Sequence, residues 1–145
     1  MPSAFPHHYD VEVVAGSSGG AALAGGRRPD ILGGAPPEFD GRADWWSPEH
    51  LLLSAVGLCL MTTFQAFAAR ERLHVARYAS RVDGVLDKTP AGLAFTSIRV
   101  VVDLGVSEAD QARAEQILAT AKRHCIVSNA LKTPVEVEAL VGVAS

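Results

Sequence analysis

At 145 residues, with 13 basic and 16 acidic side chains and no run of either sign, the chain is long enough to bury a core unaided. That balance excludes nucleic acid and anionic membrane as main partners. The first ten residues, MPSAFPHHYD, lack a charged-then-apolar leader pattern. The expectation is one soluble, cytoplasmic domain over residues 1–145. Two cysteines in a reducing compartment are then either inert core residues or a redox pair, not a static staple.

Residues 7–15 (HHYDVEVVA) alternate in part and carry β-branched side chains, which predicts a strand. Residues 16–20 are turn material, and 21–24 form a short returning strand. Residues 25–44 are rich in Gly, Pro and charge and read as a long loop, with a short strand at 30–32. Loops of that length are often functional or disordered. Trp45 and Trp46 come just before a helix start, where they can staple the first turn or line a pocket.

The helix runs from Ser47 to about residue 71. Ser47 is a good N-cap, Pro48 suits the first helical position, and Glu49 places a carboxylate in the positive first turn. Leu51, Leu52, Leu53, Ala55, Val56, Leu58, Cys59, Leu60 and Met61 surround the helix instead of forming one stripe, so it is expected to be buried on most sides. In so short a chain that burial needs a wrapping sheet or a second copy. Ser54, Thr62, Thr63 and Gln65 interrupt the apolar run and argue against a membrane span of about 20 residues.

Two segments rich in Val, Ile, Tyr, Phe and Thr, 76–86 and 93–104, flank the turn residues 87–92 and predict a β-hairpin. Ser107 caps a second helix over 108–124, with Ala114, Ile117, Leu118 and Ala121 on its inner face. Cys125 follows that helix, Ser128 and Asn129 read as turn and capping residues, and a last strand covers 135–143. The fold class is α+β, with helices packed on a largely antiparallel sheet.

Several chemistries find no support. His7, His8, His50, His74 and His124 lack metal-ligand spacing, and neither cysteine has a local ligand partner, so no metal is expected. The glycine clusters do not sit between a strand and a helix as nucleotide-binding loops require, so no cofactor is expected. Ser54 and Ser128 have no identifiable base. His124 can either lower the pKa of Cys125 or cap the helix that it ends, and the cap is favoured.

Two motifs together carry a resemblance. Pro48-Glu49 is followed ten residues after the glutamate by Cys59, within SPEHLLLSAVGLCL, and Cys125 is followed three residues later by Ser128, within KRHCIVSNAL. With the order of elements, they make the chain similar to the OsmC/Ohr family, the osmotically induced and organic hydroperoxide resistance proteins. The resemblance implies an OsmC-like fold in which antiparallel sheets wrap central helices in an intertwined homodimer. It also implies a thiol-dependent peroxidase acting on organic hydroperoxides, with Cys59 attacking the peroxide and Cys125 resolving. A lipoyl-type or thioredoxin-like dithiol would be the reductant. The active members use an arginine, fixed by the glutamate, to activate the thiolate. Among Arg27, Arg28 and Arg42, Arg42 is the first candidate because it is nearest to the helix in sequence. The family often has proline after the second cysteine; this chain has Ile126.

A free thiol ionises near pH 8.5, and burial alone raises that value, so an attacking cysteine needs a favourable neighbour. Glu49 lies roughly 15 Å from Cys59 along a continuous helix, given a rise of about 1.5 Å per residue. It can approach Cys59 only across two antiparallel copies, which leads to the expectation of a site shared in an obligate dimer. The bland alternative for Glu49 is a helix-dipole residue. The alternative for the whole chain is a non-catalytic dimer of the same fold that binds a small apolar ligand or acts as a slow redox sensor. A cation beside Cys59 separates the two.

Overall fold

The structure, a computed structural model, describes residues 3–144. Residues 1, 2 and 145 of the expected single domain lie outside that range. The chain divides into two compact units, one through Leu51 and one from Leu52 onward.

In the first unit, β1 (Glu12–Ala15), β2 (Ala21–Ala24) and β3 (Ile31–Gly33) form an antiparallel sheet in that order. The strand expected over 7–15 is shortened to its last four residues. Its partner β2 is only four residues long, so the ladder begins at Glu12↔Ala24 and ends at Ala15↔Ala21. The turn between them is closed by a bond from the Gly16 N–H to the Gly20 carbonyl, with Gly19 at φ +88° where a side chain would be strained. The loop over 25–44 holds β3, one residue later than expected, and a 3₁₀ turn at Pro37–Phe39. The ring of Trp45 lies against Gly20 and Gly34, where an added Cβ would come within 2.8 and 2.4 Å of it. Trp45 is therefore a packing residue of this unit.

α1 (Pro48–Arg70) is unbroken over 23 residues. Ser47, wholly buried, caps it by accepting the His50 N–H at 3.1 Å, as the sequence led one to expect. Two expectations about this helix need correction. It is long and apolar enough to cross a membrane by length and composition, because the scattered hydroxyl and amide residues barely dilute the run. It is also not buried on most sides by its own chain. Val56, Gly57, Leu60, Phe64 and Ala68 form one inward stripe, while Leu58 remains 60 % exposed.

In the second unit, β4 (Arg77–Thr89) pairs antiparallel with β5 (Gly92–Val106). The strands are longer than expected, because Asp87, Lys88 and Thr89 join the ladder and leave only Pro90 and Ala91 as the turn. Thr89 ties that turn, donating from Oγ1 to the Gly92 carbonyl at 2.6 Å and accepting the Ala91 N–H at 3.2 Å. β6 (Val135–Val143) runs parallel to β5, from Ile98↔Val135 to Val106↔Val143. Among the described strands the pairing is thus largely antiparallel with one parallel pair. A parallel pair needs a crossover, and residues 107–134 supply it. The crossover contains α2 (Gln111–His124), entered through a 3₁₀ turn at Glu108–Asp110, and the unexpected short helix α3 (Ile126–Ala130). Ser107 does not cap with its side chain; its hydroxyl donates to Asp110 Oδ2 at 2.9 Å.

The core of this unit combines the α1 stripe, the alternate β5 residues Ile98, Val100, Val102, Leu104 and Val106, and the α2 face of Ala114, Ile117, Leu118 and Ala121. Burying each large aliphatic residue among them contributes about 1.5–3 kcal/mol. Gly57 lets α1 settle on β4, since a Cβ there would stand 2.9 Å from Val82 Cγ2. These contacts hold the middle of α1 fixed beside the end of α2.

Candidate active site

Cys59 lies between the inward residues Val56 and Leu60 on α1, at the margin of the buried stripe, so its sulfur is only partly covered. Cys125 stands at the junction where α2 ends and α3 begins, in an extended conformation (φ −69°, ψ 108°), and is wholly buried. Asn129 holds the junction. Its N–H donates to the Cys125 carbonyl and its Nδ2 to the Arg123 carbonyl, both at 3.0 Å. The side-chain bond caps α2, as expected for Asn129, while His124 turns its ring onto Phe67 with centroids 5.4 Å apart.

Both thiols are free, and they lie close enough for each to influence the ionisation of the other. Burial pushes the Cys59 thiol up, but several donors outweigh it and leave its pKa below the ordinary value. They are the Val127 N–H, the Cys125 thiol, the Ile126 N–H and the Thr63 hydroxyl. Cys125 moves the other way. Burial raises it, the neighbouring Cys59 adds to the rise, and the hydroxyl and amide of Ser128 oppose it. Ser128 Oγ donates to Cys125 Sγ at 3.2 Å. The pair is therefore asymmetric, with Cys59 the thiol that ionises first.

Tyr78 on β4 completes the surroundings. Burial, with a smaller contribution from Cys125, pushes its phenol up to about 12. Its hydroxyl is buried and has no hydrogen-bond partner among the described residues. Its ring packs on Phe64 at 5.4 Å.

A family model described as OsmC-like protein matches residues 41–139, which include both cysteines and all of α1, β4, β5 and α2. The chain belongs to the OsmC-like protein family. An uncharacterized protein YmaD of Bacillus subtilis is 26 % identical over 107 residues, 71 % of each chain. An OsmC-like protein of unknown function from Vibrio cholerae has the same fold, with a TM-score of 0.83 at 20 % identity over 93 % of this chain and 100 % of that one. The organic hydroperoxide resistance protein OhrB of Bacillus subtilis also shares it. Its TM-score is 0.68 at 16 % identity, over 94 % of this chain and 98 % of that one.

Of the residues that the resemblance singled out in this OsmC-like chain, the structure brings Cys59 and Cys125 together. Arg42 lies in the first unit, exposed, paired with Asp44 at 2.7 Å and with its guanidinium 5.3 Å from the Trp45 ring centre. Glu49 occupies the first turn of α1, with one carboxylate oxygen buried and without a partner among the described residues. Sequence reasoning missed the donors around Cys59. Thr63 was legible as the residue one helical turn beyond it. The Ile126 amide was legible too, since a residue other than proline at 126 keeps its N–H.

Proposed function

We propose that this OsmC-like protein is a cysteine-based peroxidase acting on organic hydroperoxides. What carries the reading is the mutual influence of the two neighbouring thiols, with Cys59 disposed to ionise and Cys125 held in reserve. The Cys59 thiolate attacks one peroxide oxygen, the O–O bond breaks, and the alkoxide leaves with a proton as alcohol while Cys59 becomes a sulfenic acid. Cys125 then forms a disulfide with Cys59 and water leaves. A dithiol reductant, lipoyl-type or thioredoxin-like, returns both cysteines to thiols by exchange. The apolar residues around Cys59 favour an alkyl group over a bare hydrogen peroxide. Neighbours in fold that are named organic hydroperoxide resistance proteins support the same substrate class.

The working unit in this reading is a cytoplasmic homodimer. The uncovered sides of α1 and the unpartnered Glu49 oxygen support a second copy, with its antiparallel α1 bringing Glu49 of one chain towards the thiols of the other. There Glu49 orients an arginine, Arg42 being the first candidate, that adds to the amides already acting on Cys59. Replacing Arg42 with Met then slows turnover; an unchanged rate removes Arg42 from the site.

The test is peroxide consumption by the purified protein with cumene hydroperoxide or hydrogen peroxide and a lipoyl dithiol. Rapid loss of the organic peroxide, abolished in Cys59→Ser, is expected, and Cys125→Ser should accumulate sulfenic acid or overoxidise. No turnover above the Cys59→Ser control defeats the reading. In that event the alternative is a non-catalytic ligand binder or a slow redox sensor. An open cavity of about 460 Å³ along α1, lined by Met61, Phe64, Ala68, Leu73 and Tyr78 among others, favours the binder.

A further inference from the structure

A serine inside a helix ordinarily donates to the carbonyl three or four residues back. Ser128 does otherwise. Its hydroxyl, in the first turn of α3, donates to the sulfur of Cys125, at 3.2 Å. That sulfur is buried, has one proton of its own, and lies beside Cys59, whose ionisation it influences. A thiol has a single weak donor and weak acceptor lone pairs. With Ser128 occupying an acceptor direction, the S–H is turned away from Ser128 and towards Cys59. The result is a directed chain from Ser128 Oγ through Cys125 Sγ to Cys59 Sγ. The sequence assigns Ser128 only a turn or capping role, and that role is performed by Asn129.

We propose that Ser128 is a positioning residue for Cys125: its hydroxyl aims that sulfur at Cys59 and thereby sets the rate of disulfide formation. The proposal rests on the peroxidase reading for the identity of the oxidant. In the step that it governs, the Cys125 thiolate attacks the sulfur of the Cys59 sulfenic acid. The S–S bond forms, the S–O bond breaks, and the departing hydroxide takes up the proton that Cys125 gave. The two oxidising equivalents come from the organic hydroperoxide already reduced by Cys59. Ser128 contributes by donating to the developing Cys125 thiolate, where a charge-assisted hydrogen bond is stronger than the neutral one. Among the described residues, Cys59 from α1 acts on the ionisation of Cys125, and Cys125 in turn acts on that of Tyr78 from β4. His124, the neighbour of Cys125 in sequence, is turned onto Phe67 instead.

The first test isolates Cys125. In a Cys59→Ser background the only thiol left is Cys125, and its ionisation is followed by thiolate absorbance in the ultraviolet. Ser128→Ala should move that titration to higher pH, and Ser128→Thr, which keeps the hydroxyl, should restore it. This measurement needs no peroxide, so it decides the proposal even where the peroxidase reading fails.

The second test uses both cysteines and follows disulfide formation after a stoichiometric pulse of cumene hydroperoxide, with diamide as a parallel oxidant. A titration raised by one pH unit leaves about tenfold less thiolate. Its greater intrinsic nucleophilicity recovers about threefold, so a net slowing of at least about threefold relative to sulfenic acid formation is expected. Ser128→Thr should reverse it. An unmoved titration in Ser128→Ala, an unchanged ratio of the two steps, or no rescue by Thr each overturns the proposal. A failure of cumene hydroperoxide alone, with diamide still showing the slowed step, sinks the peroxidase reading and leaves Ser128 in its role.

Discussion

The backbone N–H of Ile126 acts on the sulfur of Cys59, from the position next to Cys125. That places a main-chain donor where a proline would offer none. Ile126→Pro is a clean probe, because Cys125 is already extended and the first position of a helix accepts proline. Cys59 has its pKa held below the ordinary value, so its thiolate accumulates as pH rises through that lowered value. Losing one donor moves the midpoint upward, by about one pH unit for a bond worth roughly 1.4 kcal/mol. The pH profile of single-turnover peroxide loss should shift alkaline in Ile126→Pro and stay in place in Ile126→Val.

Tyr78 carries a buried hydroxyl without a partner among the described residues, and an unsatisfied buried group of this kind costs about 1–3 kcal/mol. Tyr78→Phe should therefore be neutral to stabilising near neutral pH, by up to about 1 kcal/mol after the lost polar surroundings are counted. The phenol is raised in the folded state to about 12. Its contribution is full below the ordinary tyrosine value near 10 and is lost as pH climbs towards the raised one. Wild type should lose stability across that alkaline window faster than Tyr78→Phe. Denaturant midpoints measured on either side of the window check this, and a destabilised Phe variant would show that the hydroxyl has a partner.

Gly57 should resist substitution despite its place in a helix, where alanine is ordinarily better by about 1 kcal/mol. The new Cβ would lie 2.9 Å from Val82 Cγ2, and the overpacking costs about 1–3 kcal/mol. Gly57→Ala should lower the denaturant midpoint. Combining it with Val82→Ala should recover part of the loss, as a double-mutant cycle with favourable coupling. Additive losses would mean that the helix has shifted instead.

Most of this architecture was legible in residues. Richness in Val, Ile, Phe and Thr after a turn marked β5, the helical spacing of Ala114, Ile117, Leu118 and Ala121 marked α2, and Ser47 with Pro48 marked the start of α1. What escaped depended on partners distant in sequence. The length of β1 is set by β2, and the direction of β6 by the crossover that precedes it. The pairing of the cysteines came through family resemblance, since no spacing rule reaches across 66 residues. The donors to Cys59 escaped because two of them are main-chain amides, which every residue except proline possesses.

The parallel pairing of β6 with β5 has a kinetic corollary. The β4–β5 hairpin closes through a two-residue turn and can zip early, whereas β6 must find β5 across an intervening stretch of 28 residues. Cys125 travels on that stretch, so its thiol reaches Cys59 only as the last strand docks. The dithiol centre is then among the latest features to assemble during refolding. In a stopped-flow experiment with the reduced protein, protection of the two sulfurs from a fast thiol reagent should lag behind the burst of sheet signal. Protection gained together with that burst would place the crossover in the folding nucleus instead.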